Sequence, residues 1–135
     1  MEATGGPLAA CVAGANINDH LLLAQTLDAI VVERPAPTAE KPQNLCLDKA
    51  YDNSTGYAAC EQFGYRPHIR RIGEEKVGGQ AEKTFPARRW VVERTLAWLS
   101  RCRALLIRWD KKAACYLAQV KRACALLWFR RLHRL

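Results

Sequence analysis

The segment from Gly73 to Phe85 divides this chain of 135 residues into two parts with different sequence patterns. It is rich in Gly, Glu and Lys, has a Gly-Gly pair at its centre and offers little apolar surface to bury. Such a composition is typical of a mobile loop. The length allows one domain with an ordinary core. We therefore predict a single domain with an α/β part over residues 1–72, a mobile loop over residues 73–86 and a helical part over residues 87–135.

Short apolar runs and helical patterns alternate in the α/β part. The predicted strands are Pro7–Gly14, Asn44–Leu47 and Tyr65–Arg71, the last as a strand or an extended edge. The first predicted helix is capped by Asn18 or Asp19 and has its apolar positions at Leu22, Leu23, Leu27, Ile30 and Val31. The second is capped by Asp52 or Asn53 and ends near Phe63, before Gly64. Prolines in residues 33–43 predict a loop between them. This order favours an α/β fold with strands buried between helices.

Two long amphipathic patterns predict helices in the C-terminal part. The first begins near Ala87, with its apolar face at Val91, Val92, Thr95, Trp98, Leu99, Cys102, Leu105 and Leu106. The second runs from about Lys112 to Leu132 and is expected to bury Leu117, Val120, Cys124, Leu127 and Trp128. We expect the four tryptophans, Trp90, Trp98, Trp109 and Trp128, to pack between these helices rather than to stack on bases.

The charge of the chain is concentrated in the same C-terminal part. Residues 1–83 hold 8 Lys and Arg against 11 Asp and Glu, whereas residues 84–135 hold 13 against 2. Such asymmetry is typical of a surface that binds a polyanion, and we favour nucleic acid over an anionic membrane. No apolar run approaches the ~20 residues that span a bilayer, and the N-terminus lacks a signal-peptide pattern, so we expect no membrane partner and a cytoplasmic protein.

The six cysteines are compatible with a zinc site, a disulfide framework or buried free thiols. No two of them stand at C-x-x-C spacing, most have apolar neighbours and the three histidines are scattered. We therefore predict buried free thiols and no structural zinc. The cysteines are Cys11, Cys46, Cys60, Cys102, Cys115 and Cys124.

Two carboxylates are candidates for metal chemistry. Asp48 follows the predicted strand Asn44–Leu47, and ligands gather at the carboxyl ends of parallel strands, although an Asp there is commonly a turn or cap residue. Glu93 is the only acid between Thr84 and Trp109. Its alternative role is a surface ion pair with Arg89, worth about 0.3–0.5 kcal/mol. A lone carboxylate in a cationic helix also suits the joint binding of phosphates and Mg²⁺.

The segments GANINDH, LDKAYDN and YRPHIRR, and above all RRWVVERT with the downstream ALLWF, resemble the catalytic domain of bacterial insertion-sequence DDE transposases. The resemblance covers nearly the whole chain and corresponds to the C-terminal half of that domain. It implies an incomplete RNase H-like fold that lacks the first strands and ends in long helices. It also implies that Asp48 and Glu93 are the second and third acids of a catalytic triad that binds Mg²⁺ or Mn²⁺.

The same resemblance implies partners and a set of DNA contacts. The partners are DNA, as element ends and target, and a second transposase chain or an N-terminal half encoded upstream. The expected DNA-binding residues are Arg88, Arg89, Arg94, Arg101, Lys111 and Lys112, of which Arg89 matches the arginine of the family signature around the glutamate.

Three positions depart from the family pattern. Ala50 replaces a usual glycine, which predicts strain if that position needs a positive φ, and Pro86 and Ser100 replace a tyrosine and a basic residue. The first triad Asp has no counterpart in the chain, so we expect no cleavage by the chain alone. Two alternatives remain. One is a non-catalytic DNA-binding protein that interferes with intact transposase, and the other is a helical interaction module with neither catalytic activity nor useful DNA affinity.

Overall fold

The computed structural model describes residues 1–69 and 89–133, except for the side chain of Arg89. The chain separates into two compact units. The α/β unit lies within Ala15–Pro86, and the helical unit combines Met1–Gly14 with the described residues of Ala87–Leu135. The predicted loop over residues 73–86 lies outside the described residues.

The α/β unit begins with a short helical segment. A 3₁₀ turn, Asp19–Leu22, continues directly into helix α1, Leu23–Asp28. Asn18 occupies the N-cap position without a side-chain capping bond. The helix is shorter than predicted, because Ile30 and Val31 lie beyond its end and Val31 is 89% exposed.

Two parallel strands form the described sheet. Strand β1 spans Gln43–Leu47 and strand β2 spans Tyr65–Ile69, with Gln43 opposite Tyr65 and Leu47 opposite Ile69. Parallel neighbours need a crossover connection, and helix α2, Ser54–Gln62, supplies it. These elements confirm the α/β class, the strand predicted before Asp48 and the strand predicted from Tyr65; Arg70 and Arg71 lie outside the described residues.

Local capping fixes both ends of α2. The side chain of Asn53 accepts a hydrogen bond from the backbone N–H of Gly56 at 2.9 Å, so Asn53 rather than Asp52 is the cap. Gly64, directly after the helix, has a φ of +69°, a conformation that favours glycine. The chain can therefore leave α2 and enter β2 without an intervening loop.

The core of the α/β unit is formed by α1 and α2 against β1. Leu23 and Leu27 of α1 pack with Ala59 and Cys60 of α2. The partly buried side chains around them are Ala24, Ile30, Leu45, Leu47, Tyr51, Phe63 and Tyr65. Burial raises the pKa of the Cys60 thiol, which keeps the sulfur protonated and suits its role as a small apolar side chain.

The helical unit contains three helices. Helix α3 spans Arg89–Ser100, helix α4 spans Arg103–Leu106 and helix α5 spans Ala113–Leu132. Val91 and Thr95 of α3 and Ala123 of α5 are the buried residues of these helices. The predicted continuous helix through Leu106 is wrong, because the chain leaves helical geometry at Cys102 (φ −75°, ψ 109°) before α4 begins.

The N-terminal segment, Met1–Gly14, packs on these helices instead of joining the described sheet. Pro7–Gly14 was predicted as a strand, but it has no regular secondary structure and no strand partner among the described residues. The carbonyl of Pro7 accepts a hydrogen bond from Trp128 Nε1 at 2.8 Å, and the carbonyl of Gly5 accepts one from the Thr95 hydroxyl at 2.7 Å. Side chains of α3 and α5 thus satisfy backbone groups that a sheet would otherwise pair.

Two predictions of burial are wrong. Trp90 and Trp109 are 60% and 82% exposed, whereas Trp98 and Trp128 are partly buried. Cys46 and Cys115 are exposed, so the prediction of buried thiols fails for them and holds fully for Cys60 alone. No helix of the described residues is long and apolar enough to cross a membrane.

Candidate functional site

Asp48 lies at the carboxyl end of β1 and begins a 3₁₀ turn, Lys49–Tyr51. Its Oδ1 accepts a hydrogen bond from the N–H of Lys49 at 2.6 Å, and its carbonyl accepts one from the N–H of Tyr51 at 3.0 Å. The side chain is exposed. Asp48 is therefore a cap of the turn, which is the alternative that its sequence position suggested, and it is also a carboxylate open to solvent at the end of a parallel strand.

The turn that carries Asp48 is tied to the start of α2. The side-chain amide of Asn53 donates to the carbonyl of Ala50 at 3.0 Å. Gly56 lies so close to the turn that a Cβ at this position would stand 2.3 Å from the Tyr51 carbonyl oxygen. Ala50 has a negative φ, since no non-glycine residue among those described has a positive one. The strain predicted for Ala50 is therefore absent, and the turn accepts alanine in place of glycine.

Glu93 is exposed on α3. Its neighbours two positions away on either side, Val91 and Thr95, are buried at 4% and 3% exposure. Because successive helical residues are rotated by about 100°, anchoring these two residues turns Glu93 away from the helix contacts. The helix thus holds this carboxylate on an open face of the helical unit.

The predicted DNA-binding residues differ in their surroundings. Arg94 donates from Nη2 to the carbonyl of Thr4 at 2.6 Å, and its guanidinium lies 4.9 Å from the centre of the Trp90 ring. Arg101, Lys111 and Lys112 are exposed, the first just after α3 and the lysines just before α5. Arg88 and the side chain of Arg89 lie outside the described residues.

The helical unit therefore contains Glu93 together with Arg94, Arg101, Lys111 and Lys112, whereas Asp48 belongs to the α/β unit. Within residues 1–69 and 89–133, no group of three or more His, Cys, Asp or Glu side chains could hold a metal ion. The assignment of Asp48 and Glu93 as metal ligands stays a prediction.

Sequence reasoning missed Glu2. Both of its carboxylate oxygens accept hydrogen bonds: Oε2 from the N–H of Thr4 at 2.8 Å, and Oε1 from the N–H of Gly6 at 2.7 Å and from Nη1 of Arg131 at 3.1 Å. Burial opposes ionisation, but these hydrogen bonds and that of the Thr4 hydroxyl outweigh it and lower the pKa of Glu2 to about 2. No local sequence pattern predicts the pairing of Glu2 with Arg131, because Arg131 lies near the other end of the chain.

Comparison with known proteins defines the class. The family model described as "Transposase DDE domain" matches residues 1–128, so the chain belongs to that family. This match confirms the resemblance inferred from the RRWVVERT and LDKAYDN segments.

One similar protein also bears the name of a transposase. The chain is 35% identical over 135 residues to a protein named as a transposase for insertion sequence element IS402 of Burkholderia cepacia. The match covers 98% of this chain and spans 62% of the length of that relative. No solved structure matches the chain at a significant level.

Proposed function

We propose that the chain takes part in DNA transposition by binding DNA through its helical unit and contributing Asp48 and Glu93 to a divalent-metal site. The observation that carries this proposal is the match of the transposase DDE domain over residues 1–128, which include both carboxylates. The parallel β1–α2–β2 arrangement, with Asp48 at the end of β1, supports its assignment to an RNase H-like fold.

The donor set fits a hard cation. Mg²⁺ and Mn²⁺ prefer oxygen ligands, and both candidate carboxylates are exposed, so a metal could bind without first opening the core. Such a metal, when bound, would activate the attacking oxygen and stabilise the leaving one at phosphorus. The triad needs one further acid, which we propose comes from outside these 135 residues, from a second transposase chain or an N-terminal half.

The basic residues support DNA binding independently of the metal. Arg101, Lys111 and Lys112 are exposed, and none of the three forms an ion pair within the described residues. Lys112 is the N-cap of α5, where a positive charge is unfavourable by about 0.3–1 kcal/mol. Helix stability therefore gives no reason for this lysine, whereas contact with a phosphate does.

Paramagnetic broadening by Mn²⁺ tests the metal site without needing activity. In the isotopically labelled chain bound to a short DNA duplex, we expect Mn²⁺ to broaden the backbone amide signals around Asp48 and around Glu93. Asp48→Asn and Glu93→Gln should each reduce the broadening, whereas Glu61→Gln, at an exposed acid of α2, should not. Broadening that is unchanged in both variants would contradict the assignment.

A second candidate function is a non-catalytic DNA-binding protein that interferes with intact transposase. The excess of 13 basic over 2 acidic residues in residues 84–135 favours it, because these residues need no metal to bind phosphates. Fluorescence anisotropy with labelled DNA separates the two functions. Salt-sensitive binding that persists in Glu93→Gln, with no Mn²⁺ broadening, would leave only this second function.

A further inference from the structure

The helical unit contains a cleft of about 320 Å³ between α3 and α5. We name it the arginine cleft. Three of its seven lining residues carry a guanidinium group, and none of the seven is acidic. The lining residues are Gly5, Arg94, Thr95, Trp98, Leu127, Arg130 and Arg131. The size matches the lower end of the range for small-ligand sites, about 300–1,000 Å³.

Two of the three guanidinium groups are held in place by the N-terminal segment. Arg94 and Arg131 both donate to the carbonyl of Thr4, and Arg131 also pairs with the Glu2 carboxylate at 3.1 Å. The carbonyl is neutral and Glu2 carries a single charge. The arginine cleft thus keeps a net positive charge on pre-positioned donors, which lowers the entropic cost of binding an anion.

The third guanidinium, that of Arg130, is differently placed. Its central carbon lies 5.8 Å from the centre of the Trp98 ring, and it donates no hydrogen bond to the described residues. Its N–H groups are therefore available to a ligand. Trp98 and Leu127 add partly buried apolar surface beside it.

These groups define the chemistry of the ligand. Guanidinium groups bind phosphate oxygens through paired N–H donors, and an indole with neighbouring apolar surface favours a planar ring next to that phosphate. We propose that the arginine cleft binds a phosphate ester that carries a nucleobase, as one nucleotide of a DNA strand or as a free nucleotide. The strand form rests on the DNA binding proposed above, whereas the free nucleotide does not.

Arg130→Ala tests the proposal, with Lys121→Ala as the matched control. Lys121 is an exposed residue of α5 that lies about two and a half turns from Arg130, on the opposite face, and its replacement removes the same charge. If Arg130 adds only to the general attraction of phosphates, each variant loses one charge and should bind DNA about twofold more weakly. If Arg130 donates to a phosphate in the arginine cleft, Arg130→Ala should bind about tenfold more weakly and Lys121→Ala only about twofold.

The assay is anisotropy of a labelled single-stranded oligonucleotide, with competition by thymidine monophosphate and by a poly-glutamate peptide. We expect Arg130→Ala to lose oligonucleotide affinity and Arg130→Lys to fall between it and the wild type, with circular dichroism unchanged in both. If thymidine monophosphate competes with the oligonucleotide in the wild type but not in Arg130→Ala, the free nucleotide is a ligand of the arginine cleft. If the oligonucleotide binds through Arg130 and the mononucleotide does not compete, the ligand is a nucleotide within a DNA strand.

An equal loss of oligonucleotide affinity in Arg130→Ala and Lys121→Ala would overturn the proposal for the arginine cleft. It would not contradict the proposed DNA binding by the helical unit. Arg130-dependent competition by poly-glutamate alone would also overturn it, because the ligand would then be an acidic peptide. A wild-type chain that binds mononucleotide but no DNA would instead contradict the proposed function and retain the arginine cleft.

Discussion

Replacement of Gly56 by alanine should destabilise the α/β unit, although it lies within helix α2. Alanine is favoured over glycine inside a helix by about 1 kcal/mol, so helix propensity alone predicts a stabilised variant. The φ of Gly56 is negative, so alanine meets no conformational barrier. The contact is what decides: the new Cβ would stand 2.3 Å from the Tyr51 oxygen and 3.2 Å from the Tyr51 carbonyl carbon.

The clash cannot be relieved by turning a side chain. The Tyr51 oxygen is a backbone atom that also accepts a hydrogen bond from the N–H of Asn53 at 2.9 Å, next to the capping bond that the N–H of Gly56 donates to the Asn53 side chain. Overpacking costs about 1–3 kcal/mol, and disturbing these bonds adds about 1 kcal/mol. After the gain in helix propensity, we expect a net loss of about 1–3 kcal/mol.

Two control variants separate contact from backbone effects. Ala58→Gly, at an exposed position of α2, should cost about 1 kcal/mol through propensity alone. Gly64→Ala should cost about 1–2 kcal/mol through its φ of +69° alone, since its Cβ would meet only Pro37 at 3.5 Å. Urea unfolding followed by circular dichroism gives the free energies. A Gly56→Ala variant more stable than the wild type would refute the argument.

Four further predictions concern both units. Glu2→Gln should lower the free energy of unfolding at pH 7 by roughly 1–2 kcal/mol, a value reduced for the partial exposure of Glu2. Because the folded pKa of about 2 lies below the ordinary 4.5, this contribution is complete above pH 4.5 and should vanish in urea titrations as the pH falls toward 2. Gly6→Ala would place a Cβ 2.1 Å from the Trp128 ring, so urea unfolding should show a loss of about 1–3 kcal/mol; an unchanged midpoint would contradict the packing of the N-terminal segment. Iodoacetamide should label the exposed Cys46 and Cys115 first and Cys60 last, as mass spectrometry of timed samples can check, because Cys60 is fully buried with a raised thiol pKa. Asp48→Asn should keep the turn, since Asn caps as well as Asp, whereas Asp48→Ala should cost about 1 kcal/mol in urea unfolding; equal stability of the two variants would argue against the cap.

Sequence patterns predicted the elements whose signals are local. Strand β1 follows a proline-rich loop and alternates in burial, and α2 has an asparagine cap and a glycine just past its end. Capping and turn chemistry depend on neighbours in the sequence, so both bounds of α2 are close to those predicted. The break at Cys102 was missed because the apolar spacing continues through it into α4.

The predicted strand Pro7–Gly14 failed for a different reason. A strand exists only with a partner, and the partner is a long-range feature that a short apolar run does not specify. In this chain the carbonyls of Gly5, Pro7 and Thr4 accept hydrogen bonds from the side chains of Thr95, Trp128 and Arg131, which lie about 90 to 130 positions away. The predicted packing of Trp90 and Trp109 also depends on long-range contacts, and it failed: Trp90 on α3 and Trp109 between α4 and α5 are both exposed.

The same distinction between local signals and long-range contacts applies to the candidate site and the arginine cleft. Asp48 and Glu93 could be proposed as candidates because each occupies a local setting, a strand end and a cationic helix, and because the segments that resemble the family contain them; their assignment stays a prediction. The arginine cleft was not recognisable, since Arg94 and Arg130 stand on different helices and Thr4 holds Arg94 and Arg131 from a third segment. Chemistry carried by one residue type in one element can be predicted from sequence. A site that depends on the docking of a segment without regular structure requires the folded chain, because the hydrogen bonds that position its charges have no sequence period.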